Sequence, residues 1–173
     1  MGVPLRTDHL PFPMPASPHA LSQEWRNLTF MHWKVDPARL EPYIPAGLTL
    51  DLHEGQAYVG TIPFEMRKVR PRGWPWVPGV SNFPEFNVRT YVVKDEKPGV
   101  LFLTLDTNSR ITCAYAPRAY GLPYRLASCR LSAEDGTYAW SSRRKNDGAS
   151  LRGYAKGVGE VMQASPGSLE AFL

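Results

Sequence analysis

The strongest chemical signal in this sequence is a row of four polar residues at two-residue spacing. Between Glu85 and Lys94, Glu85, Asn87, Arg89 and Tyr91 alternate with Phe86, Val88, Thr90 and Val92. A strand sends successive side chains to opposite faces, so a carboxyl, a carboxamide, a guanidinium and a phenol share one face. Such a row must meet solvent, its own members or a polar cavity, because polar groups buried without partners are costly. The pattern alone favours a solvated face carrying a Glu/Arg pair. At the mouth of a barrel the same groups can orient a small carboxylate or carbonyl ligand.

Other chemistries lack their residues. His9, His19, His32 and His53 are scattered, with no His-x-His, His-Glu-x-x-His or paired-cysteine spacing, so no metal site is expected. No nucleophile elbow and no phosphate-cradling glycine loop occurs, and no cofactor is expected. Cys113 and Cys129 form no redox motif and read as free, buried thiols. The stretch from Arg67 to Trp76 mixes cations with tryptophans. One loop is too little for a nucleic-acid groove, so it reads as a structural loop with cation–π packing. The formal charge of +4 makes no demand for a nucleic-acid partner. Neither a signal peptide nor an apolar 18-residue run is present, so the expectation is a cytoplasmic protein without membrane contact.

The elements that must position the polar row are short. Seventeen prolines and fourteen glycines exclude a helical bundle and leave strands joined by frequent turns. Residues 1–20 hold five prolines and read as an arm. Strands are predicted at Asn27–Val35, Leu48–Leu52, Ala57–Pro63 (with Phe64–Val69 continuing extended), Glu85–Lys94, Val100–Asp106, Tyr124–Ser132 and Tyr138–Arg144. Asp36-Pro37 opens a short helix, because Asp caps the first amides and proline suits the first helical position. Thr107–Ala119 reads as a helix capped by Asp106 or Asn108, distorted by Pro117 and ended by Gly121. Ser165-Pro166 begins a last helical turn. Pro71–Pro84 is a long ordered loop carrying Trp74 and Trp76, while Trp25, Trp33 and Trp140 are assigned to the core.

From Trp25 onward the chain resembles the bacterial YqjF-like proteins of unknown function. The resemblance rests on Leu28-Thr29-Phe30-Met31-His32-Trp33-Lys34-Val35-Asp36-Pro37, Ile44-Pro45-Ala46-Gly47-Leu48, the run Phe83 to Val92, Gly121-Leu122-Pro123-Tyr124 and Pro166-Gly167-Ser168-Leu169-Glu170. That family is distantly similar to the acetoacetate decarboxylase-like superfamily. The resemblance implies a mostly β, α+β fold, an antiparallel cone-like barrel or strongly curved sheet around a cavity, with a few short helices. It also implies that Glu85, Asn87, Arg89 and Tyr91 face the cavity, reversing the preference for solvent.

In the decarboxylases a Pro-Lys-Lys-x-Gly-x-Pro motif carries the Schiff-base lysine. The matching segment here is Pro117-Arg118-Ala119-Tyr120-Gly121-Leu122-Pro123, which puts Arg118 at the lysine position. Arginine stays protonated and does not form imines, so Schiff-base decarboxylation is not expected there. A guanidinium suits clamping a carboxylate instead. The implied ligand-binding set is Arg118, Glu85, Asn87, Arg89, Tyr91 and Tyr120, with Arg118 and Glu85 as a binding pair or as an ion pair fixing the helix to the barrel wall. The expectation is one domain over 21–173, lacking the C-terminal end of the family domain, in a homo-oligomer that binds a small carboxylate or carbonyl compound and no nucleic acid. The alternative is a non-catalytic interaction module that uses the Trp74/Trp76 loop.

Overall fold

The structure is a computed structural model, and it describes residues 13–173. Its strands are β1 (Leu21–Arg26), β2 (Met31–Val35), β3 (Thr49–Leu50), β4 (Ala57–Pro71), β5 (Phe83–Lys94), β6 (Lys97–Thr107), β7 (Tyr124–Glu134), β8 (Thr137–Arg144) and β9 (Ser150–Lys156). Three short α-helices, α1 (Pro37–Leu40), α2 (Arg110–Tyr120) and α3 (Leu169–Phe172), complete the fold. The sheet runs β1-β4-β5-β6-β7-β8-β9, with β2 added to β4 and β3 to β5. It is strongly curled into a half-barrel. Among the described residues no helix is long and apolar enough to cross a membrane.

Turn chemistry sets the register. Asp95 and Glu96 both take positive φ, giving a two-residue turn between β5 and β6, and Asp135 with Gly136 does the same between β7 and β8. His53 and Gln56 bridge across a tight turn, in which Glu54 and Gly55 both take positive φ. The β6–β7 pair is parallel, and α2 makes the crossover it requires. That helix is capped by Ser109, whose side chain accepts from the Thr112 amide; Asp106 and Asn108, the expected caps, lie too early in the chain. Gly121 ends it in the left-handed conformation, at φ 67°.

Several boundaries differ from expectation. Of the strand predicted over 27–35 only Met31–Val35 forms, as β2, and Asn27 at φ 55° separates it from β1, which ends at Arg26. β1 lies just after the proline arm, of which residues 1–12 fall outside the described part. β9 was not anticipated, although Leu151, Gly153 and Ala155 alternate there with Arg152 and Tyr154. Of the three tryptophans assigned to the core only Trp140 is buried. Trp25 and Trp33 are about half exposed, Trp25 resting its ring on Phe64 at 5.0 Å between centroids.

The two faces of β4–β6 have separate cores. Ile62, Phe64, Met66 and Phe83 cluster on one face, and the register Ile62↔Asn87 and Phe64↔Glu85 puts the polar row there too. On the other face Phe86 packs with Ala127, Cys129 and Trp140 of β7 and β8, which fold over it. Neither face is left to solvent. The strip and its apolar complement are therefore both buried, which simple alternation could not reveal.

Candidate functional site

Every member of the strip except Arg89 is more than nine-tenths buried. Glu85 sits at the end nearest β7, opposite Thr107 on β6 and Phe64 on β4. The parallel pairing Leu105↔Tyr124 brings the Tyr124 phenol to the same face, where its hydroxyl donates to Glu85 Oε2 at 2.6 Å. Burial raises the Glu85 carboxyl from the usual 4.5 to about 7, against the opposing hydrogen bonds from Tyr124 and Asn87. Glu85 thus exchanges its proton close to neutral pH. The same burial, together with the Glu85 charge, pushes the Tyr124 phenol far up, so Tyr124 remains a donor.

Asn87 is the next residue along the strip, and its carbonyl oxygen Oδ1 is buried with no hydrogen-bond partner. Arg89, the next residue along, has a buried Nε that is likewise unpartnered. Its guanidinium carbon lies 5.4 Å from the Phe30 ring centre and 5.6 Å from that of Tyr91, so two rings hold the cation in place. A buried acceptor and a buried donor therefore stand open on neighbouring positions of one face.

Tyr91 closes the far end. Its hydroxyl donates to the Leu173 carbonyl at 2.9 Å, and His32 Nε2 lies 2.8 Å from the same oxygen. A phenol has one proton, already given to Leu173, so His32 Nε2 must be the donor to Tyr91. Burial, and next the Arg89 charge, lower the His32 pKa and keep the ring neutral. Gly60 makes room for it: the register His32↔Gly60↔Arg89 aligns the three, and a Cβ at Gly60 would lie 2.7 Å from His32 Nε2. The α3 helix, capped by Ser168, seats Phe172 against His53, Tyr58 and Tyr91.

The structure thus brings together Glu85, Asn87, Arg89 and Tyr91 and leaves out Arg118 and Tyr120. Arg118 is exposed on α2 and donates from Nη1 to the Ala114 carbonyl at 2.7 Å, so the expected Arg118–Glu85 pair does not form. The physical reason is that α2 continues through Pro117 to Tyr120, which turns Arg118 along its own helix. Tyr120 is half exposed and packs edge-on against Tyr115. His32, Gly60 and Tyr124 were missed. Only Gly60, a glycine inside a strand, carried a local hint that something approaches closely.

Both cysteines are free; Cys129 is buried and Cys113 partly so. Among the described residues no three His, Cys, Asp or Glu side chains come close enough to hold a metal ion.

Residues 22–173 match a family model described as an uncharacterized conserved protein, DUF2071. The chain is 37% identical over 127 residues to the uncharacterized protein YqjF of Bacillus subtilis (strain 168), covering 73% of this chain and 52% of that protein. It spans about half the length of that relative. Among solved structures it resembles the acetoacetate decarboxylase of Legionella pneumophila, with a TM-score of 0.57, 15% identity and coverage of 79% of this chain and 52% of that one. An acetoacetate decarboxylase-like enzyme from Sphingomonas wittichii RW1 gives 0.60 at 16% identity over 79% and 58%. The enduracididine biosynthesis enzyme MppR, solved with the condensation product of pyruvate and imidazole 4-carboxaldehyde, gives 0.63 at 12% identity over 86% and 60%. At these identities the likeness concerns the fold.

Proposed function

The chain belongs to the DUF2071 family of uncharacterized conserved proteins, and from that premise we propose that it binds a small carboxylate or carbonyl compound on the Glu85–Tyr91 strip. The observation that carries the reading is the pair of buried, unpartnered atoms Asn87 Oδ1 and Arg89 Nε beside a carboxyl that titrates near neutrality. Buried polar atoms in folded proteins are overwhelmingly paired, so two open ones on adjacent face positions ask for a ligand. Arg89 is the carboxylate anchor, its charge fixed between Phe30 and Tyr91. Glu85, held by Tyr124, is the group that gives or takes a proton at the ligand's oxygen.

The likeness to acetoacetate decarboxylase and to an enzyme solved with pyruvate supports the ligand class and not the imine chemistry. The lysine position is filled by Arg118, which lies outside the strip. Borohydride trapping with acetoacetate is expected to leave no adduct on any lysine.

Thermal-shift and calorimetric titration with pyruvate, acetoacetate, lactate and 3-hydroxybutyrate tests the reading. Saturable binding of at least one acid, lost in Arg89→Met and kept in Arg118→Ala, is the expected result. No binding of any of them, or loss in Arg118→Ala instead, overturns it.

A second reading has its own observation. The loop between β4 and β5 exposes Trp74, Trp76, Val77 and Val80, and Trp74 is 68% exposed. A cluster of large apolar side chains in solvent fits a protein-binding loop. Pull-down of a second protein by the wild type and not by Trp74→Ser would favour this module reading over the ligand site.

A further inference from the structure

The chain's charge is unevenly distributed. Between Tyr124 and Lys156 lie seven of the twenty basic residues and three of the sixteen acidic ones, an excess of four that equals the net charge of the whole chain. Everything outside β7–β9 and their turns is balanced.

Register shows where this charge goes. Ser128 pairs with Arg143 and Arg143 with Ser150; Arg130 pairs with Ser141 and Ser141 with Arg152. These six alternate with Ala127, Cys129, Ser142 and Leu151, which face the Phe86 core and its polar joint, so they stand together on the outer face. The result is a checkerboard of arginine and serine over three strands. The six residues line an open cleft of about 730 Å³.

Among the described residues, the side chains of Arg130, Arg143 and Arg152 make no ion pair or hydrogen bond. The three acids of this region are elsewhere: Asp147 approaches Arg144 at 3.6 Å, Asp135 lies in the turn between β7 and β8, and Glu134 stands in the row of Thr137 and Lys156 at the far end of the face. Like charges held close without an acid between them repel, and a multivalent anion relieves that repulsion. Neighbouring strands are about 4.8 Å apart, so Arg130 and Arg152 are roughly 10 Å apart at the backbone, with Arg143 about 7 Å further along the strand between them. Long side chains from such a triangle can meet over one short anion. Three planar forks, each able to make two parallel hydrogen bonds, match phosphoryl oxygens better than lysines would.

We infer that the outer face of β7–β9 is a binding site for phosphoryl anions, gripped by Arg130, Arg143 and Arg152, with Ser128, Ser141 and Ser150 as the neutral hydrogen-bonding groups between them. The occupant is a small molecule bearing a diphosphate or longer chain. A nucleic-acid strand fits less well, since Tyr154 is the one exposed ring on the face and a stacking platform needs several. The site is independent of the Glu85–Tyr91 strip.

Calorimetric titration of the whole chain at low salt with inorganic pyrophosphate and then inorganic triphosphate tests it. One saturable site, tighter for triphosphate, is expected. Affinity should fall about tenfold or more, ~1.4 kcal/mol, in the Arg130→Ser/Arg152→Ser double variant. Arg118→Ser, which removes an exposed arginine elsewhere, should bind as the wild type does. Circular dichroism of the surface variants verifies their fold. Absence of binding, equal binding by the double variant, or an equal loss in Arg118→Ser overturns the site. So does a short single-stranded oligonucleotide that binds far more tightly than triphosphate, which would make the face a nucleic-acid surface.

Discussion

The same strands bury polar groups on both of their faces, and the two sets are built differently. On the side covered by β7 and β8, Asp106 accepts from Arg144 Nε at 2.7 Å on one oxygen and from Ser142 at 3.2 Å on the other, while Arg144 Nη2 donates to Thr104 Oγ1 at 2.6 Å. Each of those charged groups finds its partner inside the protein. On the opposite side Glu85 is partnered, but the row beyond it leaves Asn87 Oδ1 and Arg89 Nε open. The Asp106–Arg144 network joins two layers of the fold, whereas the strip keeps two open polar atoms that the proposed ligand would complete. The β7–β8 side has one open atom of its own, Trp140 Nε1, so what distinguishes the strip is that its open acceptor and open donor stand on neighbouring positions of one face.

The sharpest way to break this contrast is one substitution made on both faces. Arg144→Met would strand Asp106, which is mostly buried, as a charge without its partner. Removing one member of such a pair typically costs ~3–5 kcal/mol. Urea denaturation is expected to show a loss of that size. A loss below ~1 kcal/mol would mean the joint is no more structural than the strip.

The next effect is a pH dependence confined to Glu85. Its folded pKa of about 7 lies above the usual 4.5, so between those values the folded state holds a proton that the unfolded chain releases. Its stabilising contribution is fully present below about pH 4.5 and is lost as pH rises through 7, amounting to ~3 kcal/mol for a shift of that size. His32 works in the opposite sense: its pKa is lowered from 6.5, so its contribution is lost as pH falls below that value. The Glu85→Gln variant keeps the His32 slope and loses the Glu85 slope. Subtracting its stability profile from the wild-type profile should therefore leave a decline across pH 4.5–7, and a flat difference would contradict the burial of this carboxyl.

Gly60→Ala probes the seat of His32. The added Cβ would stand 2.7 Å from Nε2, closer than any real contact, so the ring must move and its bond to Tyr91 must lengthen. Overpacking of this kind costs ~1–3 kcal/mol. Chemical denaturation measures the cost, and the histidine's ring-proton NMR shifts report the displacement. Unchanged shifts would show that Gly60 is not there for His32.

Much of this architecture could be read from local chemistry. The Asp36 cap, the turns at His53–Gln56 and Asp95-Glu96, the Gly121 stop and the alternating row on β5 each follow from side chains within a few positions of one another. What stayed hidden depends on register between distant segments. Tyr124 joins Glu85 across 39 residues and His32 joins Tyr91 across 59, and nothing local to either partner records that pairing. Arg118 shows the converse error: alignment with a lysine motif suggested a place in the site, but helix continuation through Pro117 sets its direction. The cation proposed as the anchor lies in the row itself, at Arg89.

Arg89→Met is the counterpart of Arg144→Met and should have the smallest effect on stability. The methionine keeps an apolar stem between Phe30 and Tyr91, removes the unpartnered Nε, and forfeits only the cation–π contacts, worth ~0.5–1 kcal/mol each when partly exposed. Loss of an unsatisfied buried donor offsets part of that, so the net change in urea should stay within ~1 kcal/mol. Ligand binding should vanish all the same. If Arg89→Met instead unfolds the protein as Arg144→Met does, the strip is a second structural joint, and its open atoms no longer argue for a ligand.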